Sequence, residues 1–370
     1  IQKTSDNAYP FTQDSNFWYL TGIEQSDWLV IIDGIGADEW LVMPNVDTMH
    51  EMFDGSLSAE EAVQRSGIKK IISQDESILL LRKLAKKHSI VYTIDNPAYS
   101  DRYNFALNPA ISANKKMLER VFTSVVDCSN ELAKLRAIKQ PVEVKAIEKA
   151  VRLTTDAFTI VKNKLVDLRY EYEIEAEFDY HFKRHGFNHA YDPIVAAGKN
   201  ACTLHYIANK QRLKTGSLVL IDVGARVNGY AADITRTYAY GEPTKRQKEI
   251  HEKLQTAHAA IIAMLAPDLS VEAYQRNTMQ IMGTALAELG LVASPDDEKV
   301  MTYFPHAVSH GLGVDVHDAL GKPRYLKPGM VLTVEPGIYI PEESIGVRIE
   351  DDVLITEKGH RNLSRSLSTG

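Results

Sequence analysis

Four short apolar runs in the second half of this chain each end on a carboxylate. Leu218-Val-Leu-Ile leads into Asp222, Tyr230-Ala-Ala into Asp233, Val331-Leu-Thr-Val into Glu335, and Val347-Arg-Ile into Glu350. Runs of this kind read as strands, and one acid at the end of one strand is ordinary. Four on buried strands are not. An ionised carboxylate taken out of water without a partner costs several kcal/mol or takes up a proton. Few cations lie nearby in sequence, chiefly Arg236 and Arg348. A pair of divalent metal ions would balance such a cluster, and oxygen-rich ligation suits them.

Spacing supports convergence. Asp233 follows Asp222 by 11 positions (233 − 222), with the Asn228-Gly229 turn between them. Two strands joined there would form a hairpin holding both acids close. Glu350 is expected within one long alternating strand, Val347 to Ile355. Three histidines, His306, His310 and His317, fall within 12 positions, with Gly311 and Gly313 letting the backbone approach a ligand closely. One imidazole with four carboxylates favours Mn²⁺, Fe²⁺, Co²⁺ or Zn²⁺ over a thiolate-seeking metal.

The rest of the chain is that of a globular protein large enough for two domains. It has 370 residues, 44% hydrophobic and 25% charged, and a net charge of −7. That acidic balance and the lack of a Lys/Arg run argue against a nucleic-acid partner. Cys128 and Cys202 are too far apart in sequence to suggest a disulfide framework. No apolar run reaches the roughly 18 residues of a membrane span. The sequence begins at Ile1, which leaves an upstream targeting segment open, and a cytoplasmic location is the default expectation.

The first third reads as a small α/β unit. Strands are expected at 28–32, 40–43, 68–72 and 90–94, with helices after Ser58 and over 77–87. Ser58 and Glu61 form a capping box, and Gly67 closes that helix. From Asn130 the character changes. Pro141 opens a helix running to about Leu168, followed by helices over 173–184, 247–265 and 271–289, and strands over 217–223 and 331–334. The expected domains are 1–128 and 129–370.

With these residues in hand, the chain resembles the pita-bread metallopeptidases, the family of methionine aminopeptidase, prolidase and aminopeptidase P. The resemblance rests on Ile-Asp222-Val-Gly, Ala-Asp233-Ile-Thr-Arg-Thr, Ser-His310-Gly-Leu-Gly, Val-Glu335-Pro-Gly and Arg-Ile-Glu350-Asp, in order and spacing. Within the family, Ile194 to Tyr206 and Phe304-Pro-His306 are most similar to aminopeptidase P. Asn16-Phe-Trp-Tyr-Leu-Thr-Gly22 is similar to the start of a creatinase-type N-terminal domain. That domain is expected to be short at its start, lacking its first strand. The resemblance implies an α+β fold, with a pita-bread catalytic domain preceded by a smaller α/β creatinase-type domain.

It also implies roles. Asp222 would bind one metal ion, Asp233 and Glu350 would bridge two, and His310 and Glu335 would hold the other. Manganese is the leading expectation, with zinc, cobalt or iron as alternatives. Arg348 and Tyr339 match positions that orient ligands and substrate. His205 matches a histidine at the substrate end, His317 one that contacts the scissile carbonyl, and His306 one in the pocket after the cleaved bond. A hydroxide bridging the two metals would attack the peptide carbonyl, Glu335 would move the proton, and His317 would support the oxyanion.

The implied activity is removal of the first residue from peptides with proline second. A dipeptidase limited to Xaa-Pro is the alternative, and a non-catalytic pita-bread binding module the remote one. Peptides are the expected partners, with no nucleic acid and no membrane, and a homodimer or homotetramer as the assembled form.

Overall fold

Helix starts in this protein are set by side chains that satisfy the first backbone N–H groups. The computed structural model describes residue 5, residues 10–96 and residues 108–370. Most of the first nine residues, which bear on the expected short domain start, lie outside that set. The chain divides into two units, Ile1–Leu132 and Ala133–Gly370, each with its own apolar core.

In the first unit, α1 (Ser15–Thr21) starts at Asp14, whose carboxylate accepts from the Asn16 and Phe17 N–H groups. The strands β1 (Leu29–Asp33) and β2 (Asp38–Met43) pair antiparallel. Helices α2 (Thr48–Asp54) and α3 (Ala59–Ser66) lead to β3 (Ile71–Ser73), which joins β2 in parallel. Capping boxes at Ser58/Glu61 and Ser73/Glu76 begin α3 and α4 (Gln74–Ala85). The second box moves α4 three residues ahead of its expected start at Ser77. Then β4 (Ile90–Thr93), α5 (Ala110–Glu119) and β5 (Ser124–Asp127) follow, with β4 and β5 parallel.

Helix α6 (Ser129–Ala137) runs across the division, four residues past the expected domain end at Cys128. Pro141 takes the first position of α7 (Pro141–Lys164), and α8 (Glu171–Arg184) packs beside it. The strands β6 (Asn188–His189), β7 (Ile194–Ala197), β8 (Ser217–Val223), β9 (Ala225–Val227), β10 (Tyr230–Ala231) and β11 (Ile234–Tyr240) form two three-stranded antiparallel sheets. Their orders are β10-β9-β6 and β11-β8-β7.

A second helix pair, α9 (Lys245–Ala263) and α10 (Val271–Glu288), is followed by the short α11 (Val300–Tyr303). The strands β12 (Val331–Val334), β15 (Asp351–Thr356) and β16 (Gly359–Asn362) form a third antiparallel sheet. A separate hairpin pairs β13 (Gly337–Ile340) with β14 (Ile345–Arg348). Each half of this unit is thus a helix pair against antiparallel strands, α7 on β9 and β10 and α9 on β12 to β14. Of the four candidate acids, Asp222 lies on β8, Asp233 just before β11, Glu335 just after β12 and Glu350 between β14 and β15.

Two expectations change here. The Asn228-Gly229 turn has both residues at positive φ (50° and 82°), the geometry of a tight hairpin. It closes β9 onto β10, not β8 onto β11, and Gly224 lets the chain leave the sheet. A Cβ at Gly224 would lie 1.7 Å from Ala232 O. The strand expected over 347–355 is broken at Ile349 and Glu350. There the chain leaves β14, and the Glu350 N–H donates to Thr235 O at 3.0 Å before β15 begins. Glu350 therefore sits between two sheets, not within one strand.

Candidate metal centre

Asp222 lies on β8 directly opposite Thr235 of β11, and Asp233 is the residue before β11. That pairing puts both carboxylates at the same end of one buried sheet, where they are 7% and 5% exposed. His310 and Glu335 are brought together by a different ladder. The Glu335 N–H donates to Val308 O at 2.8 Å, Thr333 to His310 O at 3.0 Å, and Leu312 to Val331 O at 3.0 Å. The segment 308–312 thus runs beside β12, and His310 Nε2 comes within 3.5 Å of Glu335 Oε1 and 3.4 Å of Asp233 Oδ2. Donor atoms of Asp233, His310 and Glu350 lie within 4.8 Å of one another. The five candidate ligands converge.

Charge at this point is unbalanced. Arg348 donates to Asp222 Oδ2, to the Tyr339 hydroxyl at 3.0 Å and to Thr235 Oγ1 at 3.2 Å. Thr235 in turn donates to Glu350 Oε2 at 2.6 Å. One guanidinium does not offset four acids. Burial raises the Asp222 carboxyl despite Arg348, raises Glu335 to about 7, and raises Glu350 well above the carboxylate range, where Asp233 adds to the effect. His310 moves up to about 9: burial opposes its charge, but Asp233 and Glu335 outweigh that. A cluster that holds protons for want of cations, with oxygen donors and one imidazole, fits divalent metal ions.

The remaining candidates surround this cluster. The His317 ring stacks on His310 with centroids 3.8 Å apart and planes 12° from parallel. Burial, followed by the His310 charge, lowers its pKa. His306 Nε2 is 2.9 Å from the Tyr339 hydroxyl, and its Nδ1 is 3.6 Å from Glu335. Burial pushes His306 down to about 4 and Tyr339 up to about 12. His205 is exposed, close enough for its charge to act on both His306 and His317.

Sequence reasoning missed several contributors. The Tyr191 hydroxyl touches Asp222 and Asp233. Arg236, fully buried, donates to Glu350 O at 2.6 Å and pairs with Asp351 at 2.6 Å, fixing the backbone that carries Glu350. Asp352, also fully buried, accepts from the Asp233 N–H at 3.1 Å. Glu171 accepts from Ala197 N–H, Asn200, the Tyr206 hydroxyl and Gln211 N–H, tying down the segment that bears His205. Arg236 was marked in the sequence as a cation near Asp233, without its contact to Glu350, and the adjacency of Asp351 and Asp352 to Glu350 was a second signal. Tyr191 and Glu171 lie far from their partners in sequence.

Comparison with known proteins is consistent along the chain. The description "Metallopeptidase family M24" matches residues 145–357, and "Aminopeptidase P, N-terminal domain" matches residues 1–92. The Xaa-Pro aminopeptidase of Escherichia coli K12 is 33% identical over 392 residues, covering 99% of this chain and 89% of that protein. Xaa-Pro aminopeptidase 3 of Mus musculus is 32% identical, over 96% of this chain and 74% of its own length. The low-pH structure of aminopeptidase P from E. coli superposes with a TM-score of 0.85 at 30% identity, covering 100% of this chain and 90% of the other.

Proposed function

The chain belongs to metallopeptidase family M24 and is a metallo-exopeptidase, and we propose that it removes the first residue from peptides whose second residue is proline. The convergence of Asp222, Asp233, His310, Glu335 and Glu350 in one charge-starved cluster carries this reading. Those five would hold two divalent ions, with manganese the first choice and zinc, cobalt or iron compatible with the same donors. When bound, such ions polarise a peptide carbonyl and make water nucleophilic near neutral pH.

The chain's own residues supply the rest. Glu335, a buried carboxyl 3.5 Å from His310, would accept the proton of the attacking water and pass it to the leaving nitrogen. His317, whose ring stacks on His310, would donate a hydrogen bond to the scissile carbonyl as negative charge grows there. His205 would meet the substrate end. His306, Tyr339 and Arg348 would line the pocket for the proline ring. An Xaa-Pro bond has no N–H on its nitrogen, so such a pocket need offer that nitrogen no acceptor. A free α-amino group seated beside this cluster would direct cleavage to the first bond.

Cleavage of three peptides by the manganese-loaded protein tests this reading. An Xaa-Pro-Xaa tripeptide is expected to be cut faster than the Xaa-Pro dipeptide and far faster than Xaa-Ala-Xaa. Preference for the dipeptide would make the protein a prolidase. Equal cleavage of the alanine peptide would remove proline from the account. The same reading includes a homodimer or homotetramer, which sedimentation of the purified protein checks.

A further inference from the structure

The loop from Gly311 to Asp318 carries His317 next to its last residue, and that loop is closed on itself. The Asp318 N–H donates to Gly311 O at 2.8 Å, and the Gly313 N–H to Asp315 O at 3.0 Å. Asp318 is buried, its side chain 1% exposed, and both of its carboxylate oxygens are held by cations. Lys139 Nζ donates to Oδ2 at 2.8 Å and Arg136 to Oδ1 at 2.6 Å. Arg136 also reaches Asp315 Oδ2 at 2.6 Å.

Arg136 lies in the last turn of α6, and Lys139 in the short link from α6 to α7. Lys139 Nζ donates to Arg136 O at 2.6 Å, and the Lys139 N–H donates to Gly329 O at 2.8 Å. The Gln140 N–H donates to Glu143 at 2.8 Å as α7 begins. The loop is pressed against this pair. A Cβ at Gly313 would lie 1.9 Å from Asp318 Oδ2 and 2.7 Å from Lys139 Nζ. Burying such charges gains little over well-packed apolar side chains. What the arrangement adds is geometry, because two donors on opposite oxygens fix how the Asp318 carboxylate lies. The neighbouring residue, His317, then has its ring stacked on His310.

We propose that Lys139 and Arg136, acting through Asp318, are positioning residues that hold the His317 ring over the metal centre. This rests on the reading of His317 as the group that meets the scissile carbonyl. Neither cation touches substrate. Their effect is on turnover, through the placement of one imidazole.

A double-mutant cycle on the full-length, manganese-loaded protein tests the proposal. Lys139→Met is expected to lower kcat on an Xaa-Pro-Xaa peptide about 10- to 100-fold, with KM changed by no more than about twofold. His317→Ala is expected to lower kcat similarly, and the double variant to be no slower than His317→Ala alone. Equal losses from Lys139→Met in both backgrounds would show a merely structural role and overturn the proposal, as would full kcat in Lys139→Met. A crystal structure of metal-free Lys139→Met gives a readout apart from activity: the His317 ring is expected to leave its stack on His310. If His317→Ala keeps full kcat, the catalytic role of His317 falls. Positioning is then decided by that structure alone, where a ring still stacked overturns it and a displaced ring supports it. Should Lys139→Met fail to fold, Arg136→Gln is put through the same cycle.

Discussion

The Tyr191 hydroxyl lies 2.6 Å from Asp222 Oδ1, and the same oxygen is 2.6 Å from Asp233 Oδ1. One phenol therefore spans the two carboxylates that arrive from opposite ends of the excursion between β8 and β11. Burial and both acids raise its pKa well above the usual range, so it remains a donor at any working pH.

Tyr191→Phe removes this donor and keeps the ring. Metal affinity is expected to fall about 10- to 100-fold, as when ligand orientation is lost, with the far-ultraviolet spectrum unchanged. Competition against a fluorescent chelator measures it. Unchanged affinity would mean that the two acids keep their places without the phenol.

Among the described residues, Arg348 is the cation paired with Asp222, and it is 4% exposed. Arg348→Met leaves that buried carboxylate without its partner. The metal-free protein is expected to lose about 3–5 kcal/mol of stability in denaturant titrations. Arg348→Lys keeps the charge but cannot span Asp222, Tyr339 and Thr235 together, so it should recover only part of the loss. Full recovery would show that charge alone mattered.

Without metal, the folded site holds protons that free side chains would have lost. Glu335 is raised from 4.5 to about 7 and His310 from 6.5 to about 9. For a raised group, the stabilising contribution is complete below the free value and is lost as pH climbs through the folded one. Glu335 thus loses its contribution between pH 4.5 and about 7, and His310 between pH 6.5 and about 9. Metal needs both groups deprotonated. Binding at pH 7 is therefore expected to release protons, with affinity rising toward pH 9. Calorimetry in two buffers of different ionisation enthalpy reads the release directly. Identical heats in both would contradict it.

His306 contacts Tyr339 at 2.9 Å, and burial keeps it neutral, with a pKa of about 4. His306→Ala should raise KM for an Xaa-Pro-Xaa peptide about tenfold and change kcat less, because it removes pocket surface and leaves the five candidate ligands in place. A fall in kcat at constant KM would assign His306 to the chemistry instead.

Much of this molecule was legible from its sequence. The α+β pita-bread fold with its smaller N-terminal domain follows from motif order, and family membership bears it out. Strand-end acids such as Asp222 announce themselves because four apolar neighbours precede the charge. Other features were hidden because they depend on long-range pairing. The break at Glu350 arises from a hydrogen bond to Thr235 on another sheet, which no local pattern encodes. Tyr191 looks like a loop aromatic until β7 and β8 bring it to the acids. Lys139 reads as a helix-flanking surface lysine, yet its side chain is 1% exposed against Asp318, 179 positions away.

Anomalous diffraction from crystals grown with manganese tests the central claim most directly. Two peaks are expected, enclosed by Asp222, Asp233, His310, Glu335 and Glu350, with Asp233 and Glu350 touching both. An empty site at saturating manganese, or ions held by other side chains, would contradict the account.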